Sequence, residues 1–316
     1  MSPNSWTCLH PSNATEAKLS LDNRGLAYGD GFFTTMGVID GQILWLDYHQ
    51  QRLVSHAVAL QIQLDSFSLL TALKTHAKQL QQGMLKLIIT RAEQEVRGYG
   101  YTPNIGGGSA CEIWLKSSPM AITTARSLPL ADGQFIPLQP AASAICLSSQ
   151  IACLPPTLAG LKSLNRLDNV LASGELQAIK AKTLAGTIKP SIAEGLLRDM
   201  SGRWIEGTMS NVFYQLVEAP VAKSSNRPHS QNNSSNYLTQ GQWYTPSMAQ
   251  SGVAGVMRQV IIDTLSTSNN PVIIRSLQDE DLPHLSQLFF CNALRGIMPM
   301  SSLRLLSGEV VSFEAI

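Results

Sequence analysis

The order of apolar and polar positions divides the first part of the chain into short strands and two helices. Asp40-Gly41 is a hairpin signal between two runs of β-branched, aromatic and aliphatic residues. Asp47 is the expected N-cap of an amphipathic helix, and Leu69 to Leu80 predicts a second helix. Strands are predicted at residues 32–39, 42–46, 84–91 and 112–115.

The second part of the chain repeats this alternation after a segment of different composition. Residues 117–142 are rich in Ser, Pro, Ala and Gly and predict a linker. Strands and helices then alternate again: one helix ends near Thr183, and a glycine-bearing loop at 251–262 enters another. We therefore predict an α/β (α+β) fold with a smaller N-terminal domain at 1–118, a linker at 119–142 and a larger C-terminal domain at 143–316. Residues 222–241 are polar and of low complexity, and predict a flexible insertion.

Composition constrains the partners and the compartment. The chain has 316 residues, of which 44% are hydrophobic, enough for a buried core in each domain. A net charge of +1 creates no field that would attract nucleic acid or an acidic membrane, and we predict neither partner. No apolar run approaches the roughly 20 residues of a membrane helix, and the polar start predicts no signal peptide. Five cysteines without CxxC spacing favour a reducing compartment, the cytoplasm, and neither a disulfide framework nor a metal site.

Lys162 is the first candidate for chemistry. It follows the breaker Leu154-Pro155-Pro156 and precedes the helical pattern that starts at Val170, so it lies in a turn or at the end of an element. A lysine held in a pocket loses solvation, which lowers its pKa and makes it a nucleophile. A solvated surface lysine is the alternative, and it is the more common case for a lysine considered alone.

Arg52 is the first candidate for binding an anion. His49, Arg52 and Leu53 fall on one face of the predicted helix, and Leu53 continues into its apolar stripe. An arginine on an inward stripe is costly unless it meets an anion, and its planar fork suits phosphate. A carboxylate partner at the helix edge is the alternative and more common arrangement.

Later stretches carry further candidate polar groups. Glu206 ends a short strand, where site residues often lie, although a solvated turn carboxylate would fit as well. Asn211 follows in the same polar turn. The glycine-bearing segment 251–262 enters a helix whose first N–H groups could bind phosphate, which is weak evidence alone. Asn292 ends a buried strand and is either a phosphate contact or a plain strand-to-loop transition.

One loop is a candidate for substrate recognition. Arg97 and Tyr99 lie in Val96–Tyr101, where an arginine and tyrosines could bind a carboxylate. A tyrosine-rich surface loop with a solvated arginine is an equally good explanation.

Six stretches, in order, resemble the branched-chain and D-amino-acid aminotransferase family of fold type IV pyridoxal-phosphate enzymes. The likeness runs from about Gly25 to Phe313. The resemblance implies a two-domain fold with pyridoxal 5′-phosphate between the domains, and a homodimer with sites near the subunit interface. The stretches are residues 28–35, 49–53, 160–167, 206–213, 252–258 and 291–294.

The resemblance also implies roles for individual residues. Lys162 would form the Schiff base with the cofactor and later act as general base, Arg52 would bind the cofactor phosphate, and Glu206 would lie beside the pyridine nitrogen. The other cofactor-binding positions implied are Asn211, Val256, Met257 and Asn292. The residues expected at the substrate are Thr35 or Thr34 as a proton relay, and Arg97, Tyr99 and Tyr28.

Two reactions fit this resemblance. The sequence of Gly160–Asp168 is more similar to that of the 4-amino-4-deoxychorismate lyases than to that of the aminotransferases of the family. It implies a lyase that forms 4-aminobenzoate and pyruvate in folate biosynthesis. An aminotransferase for D- or branched-chain amino acids is the alternative. A non-catalytic cofactor-binding protein is a third possibility, which the presence of both Lys162 and Glu206 disfavours.

Overall fold

A computed structural model describes residues 6–10, 18–103, 110–122, 126–130, 133–184, 192–217 and 237–313. The chain divides into two compact units. Unit 1 comprises Met1–Thr123 and Pro155–Leu167, and unit 2 comprises Thr124–Leu154 and Asp168–Ile316. Within the described ranges, no helix has the length and apolar character needed to cross a bilayer.

Unit 1 is an antiparallel sheet covered by helices. In its described part, five strands run in the order β1-β5-β4-β2-β3, and each pairs antiparallel with its neighbour. The strands are β1 (Trp6–His10), β2 (Gly31–Ile39), β3 (Gln42–Ile43), β4 (Gly83–Arg91) and β5 (Cys111–Pro119). The helices are α1 (Arg24–Tyr28), α2 (Leu46–Ala59) and α3 (Ser66–Leu80).

The core of unit 1 explains its alternating pattern. Side chains alternate between the two faces of a strand, and Phe32, Met36 and Val38 on β2 are fully buried. They pack in one cluster with Leu53 of α2 and Leu73 of α3. The predicted strands at 84–91 and 112–115 are confirmed as β4 and as part of β5.

The start of α2 corrects a prediction. Asp47 is not its N-cap, because the helix already begins at Leu46 and its N-cap is Trp45, with φ 57° and ψ 36°. This left-handed residue turns the chain directly from the hairpin into the helix, so the returning strand ends at Ile43. In contrast, α3 has a side-chain cap, since Asp65 accepts a hydrogen bond from the Ser68 N–H at 3.1 Å.

Unit 2 contains a larger mixed sheet. In the part of unit 2 that the structure describes, the strand order is β10-β9-β8-β15-β14-β11-β12-β13, with β16 on β15 and a second pairing of β10 with β11. β8 pairs parallel with β9 and β15, whereas β14 pairs antiparallel with β11 and β15. The strands of this sheet are β8 (Ala142–Ile151), β9 (Ile192–Asp199), β10 (Trp204–Gly207), β11 (Asn211–Leu216), β12 (Tyr244–Thr245), β13 (Ile273–Ile274), β14 (Leu285–Asn292), β15 (Gly296–Arg304) and β16 (Val310–Ser312). The strands β6 (Ser127–Pro129) and β7 (Phe135–Pro137) form a separate two-stranded sheet.

Helices cover this sheet. Ala172 and Leu176 of α4 (Leu167–Leu184) pack with Leu147 and Leu197 of the sheet, and α5 (Val256–Leu265) has a buried apolar face. Short 3₁₀ turns lie at Tyr237–Thr239 and Asp279–His284.

The division of the chain differs from the predicted one in two ways. The predicted linker contains the β6–β7 hairpin, and β8 begins at its end. Pro155–Leu167, predicted in the C-terminal domain, belongs to unit 1. The physical reason is pairing with β2: the Phe33 N–H donates to the Lys162 carbonyl at 3.0 Å, and the Leu164 N–H donates to Gly31 at 3.0 Å. Of the predicted 222–241 insertion, residues 222–236 lie outside the described residues.

Candidate active site

In unit 1, the backbone of Lys162 is held on both sides. Its N–H donates to His56 Nε2 at 2.8 Å, and its carbonyl accepts from the Phe33 N–H at 3.0 Å. Its ammonium group lies 4.7 Å from the centre of the Phe33 ring. Phe33 and Thr35 are two positions apart on β2 and therefore share a face of the strand. The predicted relay residue Thr35 thus lies on the face that carries the ring beside the lysine.

Arg52 is buried on α2 in a polar cluster. Its guanidinium donates to Thr34 Oγ1 at 3.4 Å, and that hydroxyl lies 2.8 Å from His49 Nδ1. Burial lowers the pKa of Arg52 to about 10, so it stays charged near neutral pH. Burial, followed by the charges of Arg52 and Lys162, holds the pKa of His49 well below its usual value. A fixed positive charge beside a neutral imidazole suits the binding of an anion.

The predicted substrate loop is exposed but anchored. Tyr99 is 84% exposed, and its ring meets the Tyr28 ring edge-on at 5.2 Å. The Arg24 guanidinium donates to the carbonyls of Gly98 and Tyr99 at 3.2 and 3.1 Å. Arg97 is exposed. The loop that carries these candidate residues is therefore held through its backbone, and its side chains remain accessible.

Sequence reasoning missed the charged cluster under this loop. Asp30 Oδ2 accepts from Arg24 Nε and Arg91 Nε, each at 2.9 Å. Arg91 also donates to the carbonyls of Leu60 and Gln61 at 2.7 and 3.0 Å. The two arginines lie 67 positions apart in the chain, and their common partner Asp30 precedes β2, which pairs with β4.

In unit 2, Glu206 and Asn211 hold one residue from both sides. The buried Glu206 accepts the Val253 N–H at 2.8 Å, and the buried Asn211 donates its side-chain amide to the Val253 carbonyl at 2.8 Å. Gly252 has a φ of 77°, and a Cβ there would lie 3.0 Å from Glu206 Oε2. Asn169 donates to the other carboxylate oxygen of Glu206 at 3.4 Å. The turn before α5 is thereby fixed by the predicted site residues.

This turn leads into the start of α5. The helix begins at Val256 with Gly255 as N-cap in an extended conformation, without a side-chain hydrogen bond at that cap. Val256 and Met257 are buried, and the first N–H groups of a helix have no partner within the helix. The helix dipole adds positive potential at this end. These features would suit a phosphate, and phosphate binding at Val256 and Met257 stays a prediction.

Asn292 lies at the end of β14, as predicted, and its side chain orders the following turn. Its Oδ1 accepts the N–H groups of Leu294 and Arg295 at 3.1 and 2.9 Å, and its amide donates to the Met209 carbonyl at 3.5 Å. The contact of Asn292 with a phosphate stays a prediction, as do the ligand contacts of the other candidate residues.

Glu194 is a second buried carboxylate that the sequence did not indicate. It accepts the Thr208 N–H and hydroxyl at 3.0 and 2.6 Å and the Ser210 hydroxyl at 2.7 Å. The turn between Glu206 and Asn211 is therefore shaped from the neighbouring strand β9. The hydroxyls of Thr208 and Ser210 were the only signal in the sequence, and they do not reveal their acceptor.

Comparison with known proteins places these features in a family. The model of amino-transferase class IV matches residues 31–303. An aminodeoxychorismate lyase of Vibrio harveyi is 24% identical over 290 residues, covering 91% of this chain and 88% of its own. The crystal structure of 4-amino-4-deoxychorismate lyase from Pseudomonas aeruginosa has a TM-score of 0.69 and 30% identity, covering 94% of this chain and 90% of its own.

A similar fold occurs in an aminotransferase. The crystal structure of the Escherichia coli branched-chain amino acid aminotransferase has a TM-score of 0.64 and 19% identity, covering 91% of this chain and 82% of its own. At this identity the likeness concerns the fold alone.

Proposed function

Because this chain belongs to the amino-transferase class IV family and is a pyridoxal-phosphate enzyme, we propose that it is a lyase acting on 4-amino-4-deoxychorismate. The products are 4-aminobenzoate and pyruvate, and the pathway is folate biosynthesis in the cytoplasm. The observation that carries the proposal is the 30% identity, over 94% of this chain, to the Pseudomonas aeruginosa protein of that name. The sequence around Lys162 supports it.

The residues present fit the cofactor chemically. The phosphate carries roughly two negative charges near neutral pH, by analogy with other phosphate monoesters. Unit 1 supplies a buried cation in Arg52 and an amine in Lys162. Unit 2 supplies the first N–H groups of α5 and the buried carboxylate of Glu206. The family resemblance implies that Arg52 and the start of α5 bind the phosphate, that Glu206 keeps the ring nitrogen protonated and that Lys162 binds the aldehyde carbon.

The proposed reaction needs no second substrate. Bound pyridoxal phosphate supplies an electron sink beside the carbon that carries the substrate amine. Lys162 removes the ring proton from that carbon, and the ether bond to the enolpyruvyl group breaks. Thr35 relays a proton to the enolpyruvyl methylene, which leaves as pyruvate. One proton leaves the ring and one enters the methylene, so substrate and products balance.

Substrate recognition is assigned to the anchored loop of unit 1. Arg97 and Tyr99 would bind a substrate carboxylate, with Tyr28 beside them. Arginine forms two parallel hydrogen bonds to a carboxylate, which orients as well as binds it. We also propose a homodimer, which light scattering on the purified protein would test directly.

A product assay tests the lyase. Purified protein with pyridoxal phosphate is given fresh 4-amino-4-deoxychorismate, and pyruvate and 4-aminobenzoate are followed together. Equal release of both, lost in Lys162→Ala, is expected. Release of neither product by a protein that shows the visible band of the cofactor would contradict the lyase.

An aminotransferase is the second candidate, favoured by the match of residues 31–303 to the model of amino-transferase class IV. It would exchange an amino group between an amino acid and a 2-oxo acid. D-amino acids and branched-chain amino acids are the substrates to test. A protein whose visible band survives Lys162→Ala, or that shows no band, would instead indicate non-catalytic binding.

A further inference from the structure

The helix that carries Arg52 also contacts the backbone of Lys162. Arg52 and His56 lie four positions apart on α2 and therefore on the same face. His56 is 5% exposed, and its Nε2 accepts the Lys162 N–H at 2.8 Å. The two residues are 106 positions apart in the chain. One helical turn thus contacts the lysine segment and also carries the proposed phosphate ligand.

The hydrogen bonds around His56 define its tautomer. The Ser55 hydroxyl donates to the Arg52 carbonyl at 3.1 Å, so it is free to accept from His56 Nδ1, which lies 3.3 Å away. Nδ1 therefore carries the proton, and Nε2 presents its lone pair to the Lys162 N–H. The Phe32 ring packs edge-on against the imidazole, with the ring centres 5.5 Å apart. The imidazole has one orientation in which all these contacts are made.

Only a neutral imidazole can accept this hydrogen bond. Burial, followed by the charges of Arg52, Arg166 and Lys162, lowers the pKa of His56 to about 3. The ring therefore stays neutral through the physiological range, and the acceptor is always present there.

We propose that His56 is a positioning residue that fixes the Lys162 backbone at a set distance from the Arg52 turn. The proposal rests on the proposed roles of Lys162 and Arg52 at the cofactor. A lysine that must first bind the cofactor and then take a proton needs a mobile side chain. His56 at its N–H and Phe33 at its carbonyl restrict the backbone instead. The side chain then moves about a fixed point.

Three variants separate the hydrogen bond from the volume of the ring. His56→Phe keeps an aromatic ring but removes the acceptor. His56→Gln places an amide oxygen near the position of Nε2 and keeps an acceptor. His76→Phe, on α3 of the same unit, is the control, because His76 is half-buried and burial lowers its pKa as it does that of His56.

The first measurement is hydrogen exchange at the Lys162 amide in cofactor-free protein. His56→Phe is expected to exchange about tenfold faster, the effect of losing one hydrogen bond of ordinary strength. His56→Gln and His76→Phe are expected to stay near wild type. The second measurement is the rate at which the visible band forms when pyridoxal phosphate is added, which should slow in His56→Phe and recover in His56→Gln.

The result that overturns the proposal is unchanged exchange at Lys162 in His56→Phe. If that variant does not fold, nitrogen-15 spectra of wild-type histidines decide. A proton on Nδ1 of His56 at pH 7 supports the proposal, and a proton on Nε2 contradicts it. The hydrogen-exchange and nitrogen-15 measurements use cofactor-free protein, so they remain decisive if the proposed lyase reaction fails.

Discussion

In unit 1 the His56 side chain and the Phe33 N–H hold the backbone of Lys162, and its side chain carries the proposed chemistry. In unit 2 the side chains of Glu206 and Asn211 themselves hold the backbone of Val253. The Lys162 ammonium group lies beside the Phe33 ring, whereas the Glu206 carboxylate accepts a hydrogen bond from the turn before α5. The difference fits the proposed chemistry. A nucleophile has to move between partners, and groups that bind a phosphate or a ring nitrogen act best when they are already fixed.

The comparison predicts that Lys162 can be removed without loss of the fold. Lys162→Ala should lower turnover at least roughly 10³-fold, because it removes both the amine that binds the cofactor and the general base. The hydrogen bonds to His56 and Phe33 use backbone atoms and remain. The free energy of unfolding from urea titration should therefore change by less than about 1 kcal/mol. A large loss of stability would show that the side chain also supports the fold.

Glu206 should contribute both to the chemistry and to the stability of the fold. Glu206→Gln keeps an oxygen for the Val253 N–H but loses the charge, so the variant should fold and lose about 100-fold in kcat. Glu206→Ala should also lower the free energy of unfolding by about 1–3 kcal/mol, since a buried N–H loses its acceptor. Product assays and urea titration measure the two effects. Full turnover in Glu206→Gln would remove this carboxylate from the chemistry.

Acid should weaken the anchor in unit 1. The folded pKa of His56 is about 3, against 6.5 for a free histidine, so the unfolded chain binds the proton first as the pH falls. The free energy of unfolding therefore decreases below about pH 6.5 and keeps decreasing to about pH 3. Between pH 7 and pH 5 wild type should lose about 2 kcal/mol more than His56→Gln.

Comparing wild type with His56→Gln isolates the pH-dependent contribution of His56 to the free energy of unfolding. His49 is also buried with a lowered pKa, and it adds a slope of the same sign to both. Urea titrations at several pH values measure the difference. Parallel curves for wild type and His56→Gln would show that His56 is not held neutral by the fold.

Asp199 of unit 2 responds to acid at a lower pH than His56 does. Burial would raise its pKa, but hydrogen bonds from Arg203, Ser201 and Ser251 outweigh this and lower it to about 2. Its contribution to stability is fully present well above the unfolded pKa of 3.8 and is lost as the pH falls from there through about 2. One of its partners, Ser251 at 2.8 Å, lies just before the Gly252–Gly255 turn. His56 and Asp199 therefore lose their contributions to stability over different pH ranges.

Local patterns predicted the elements but not what connects them. The β-branched and aromatic composition of residues 32–39 predicted β2, the apolar run at 84–91 predicted β4, and Leu69 to Leu80 predicted α3, because each of these patterns reflects burial. The end of β14 at Asn292 was also predicted correctly. The prediction of Asp47 as the N-cap of α2 was wrong because Trp45 adopts a left-handed conformation. Such a conformation is rare for a bulky residue and leaves no local signal in the sequence.

The candidate site shows the same limit. Lys162, Arg52 and Glu206 could be named from their sequence context, but their anchors could not. The His56–Lys162 hydrogen bond spans 106 positions, and the Asn211–Val253 bond spans 42. Both bonds connect a side chain to a backbone group. Because every residue except proline has the same backbone N–H and C=O groups, the sequence does not reveal which residue supplies the backbone partner.

The smallest effect concerns the glycines of unit 2. A Cβ at Gly255 would overlap with Asn211 Oδ1, whereas a Cβ at Gly174, inside α4, would meet nothing within 4 Å. Gly255→Ala should therefore lower the free energy of unfolding by about 1–3 kcal/mol and weaken pyridoxal phosphate binding. Gly174→Ala should raise the free energy of unfolding by roughly 0.5–1 kcal/mol, because alanine restricts the unfolded chain. Thermal unfolding and cofactor titration measure both, and equal behaviour of the two variants would show that the turn before α5 is not a rigid cradle.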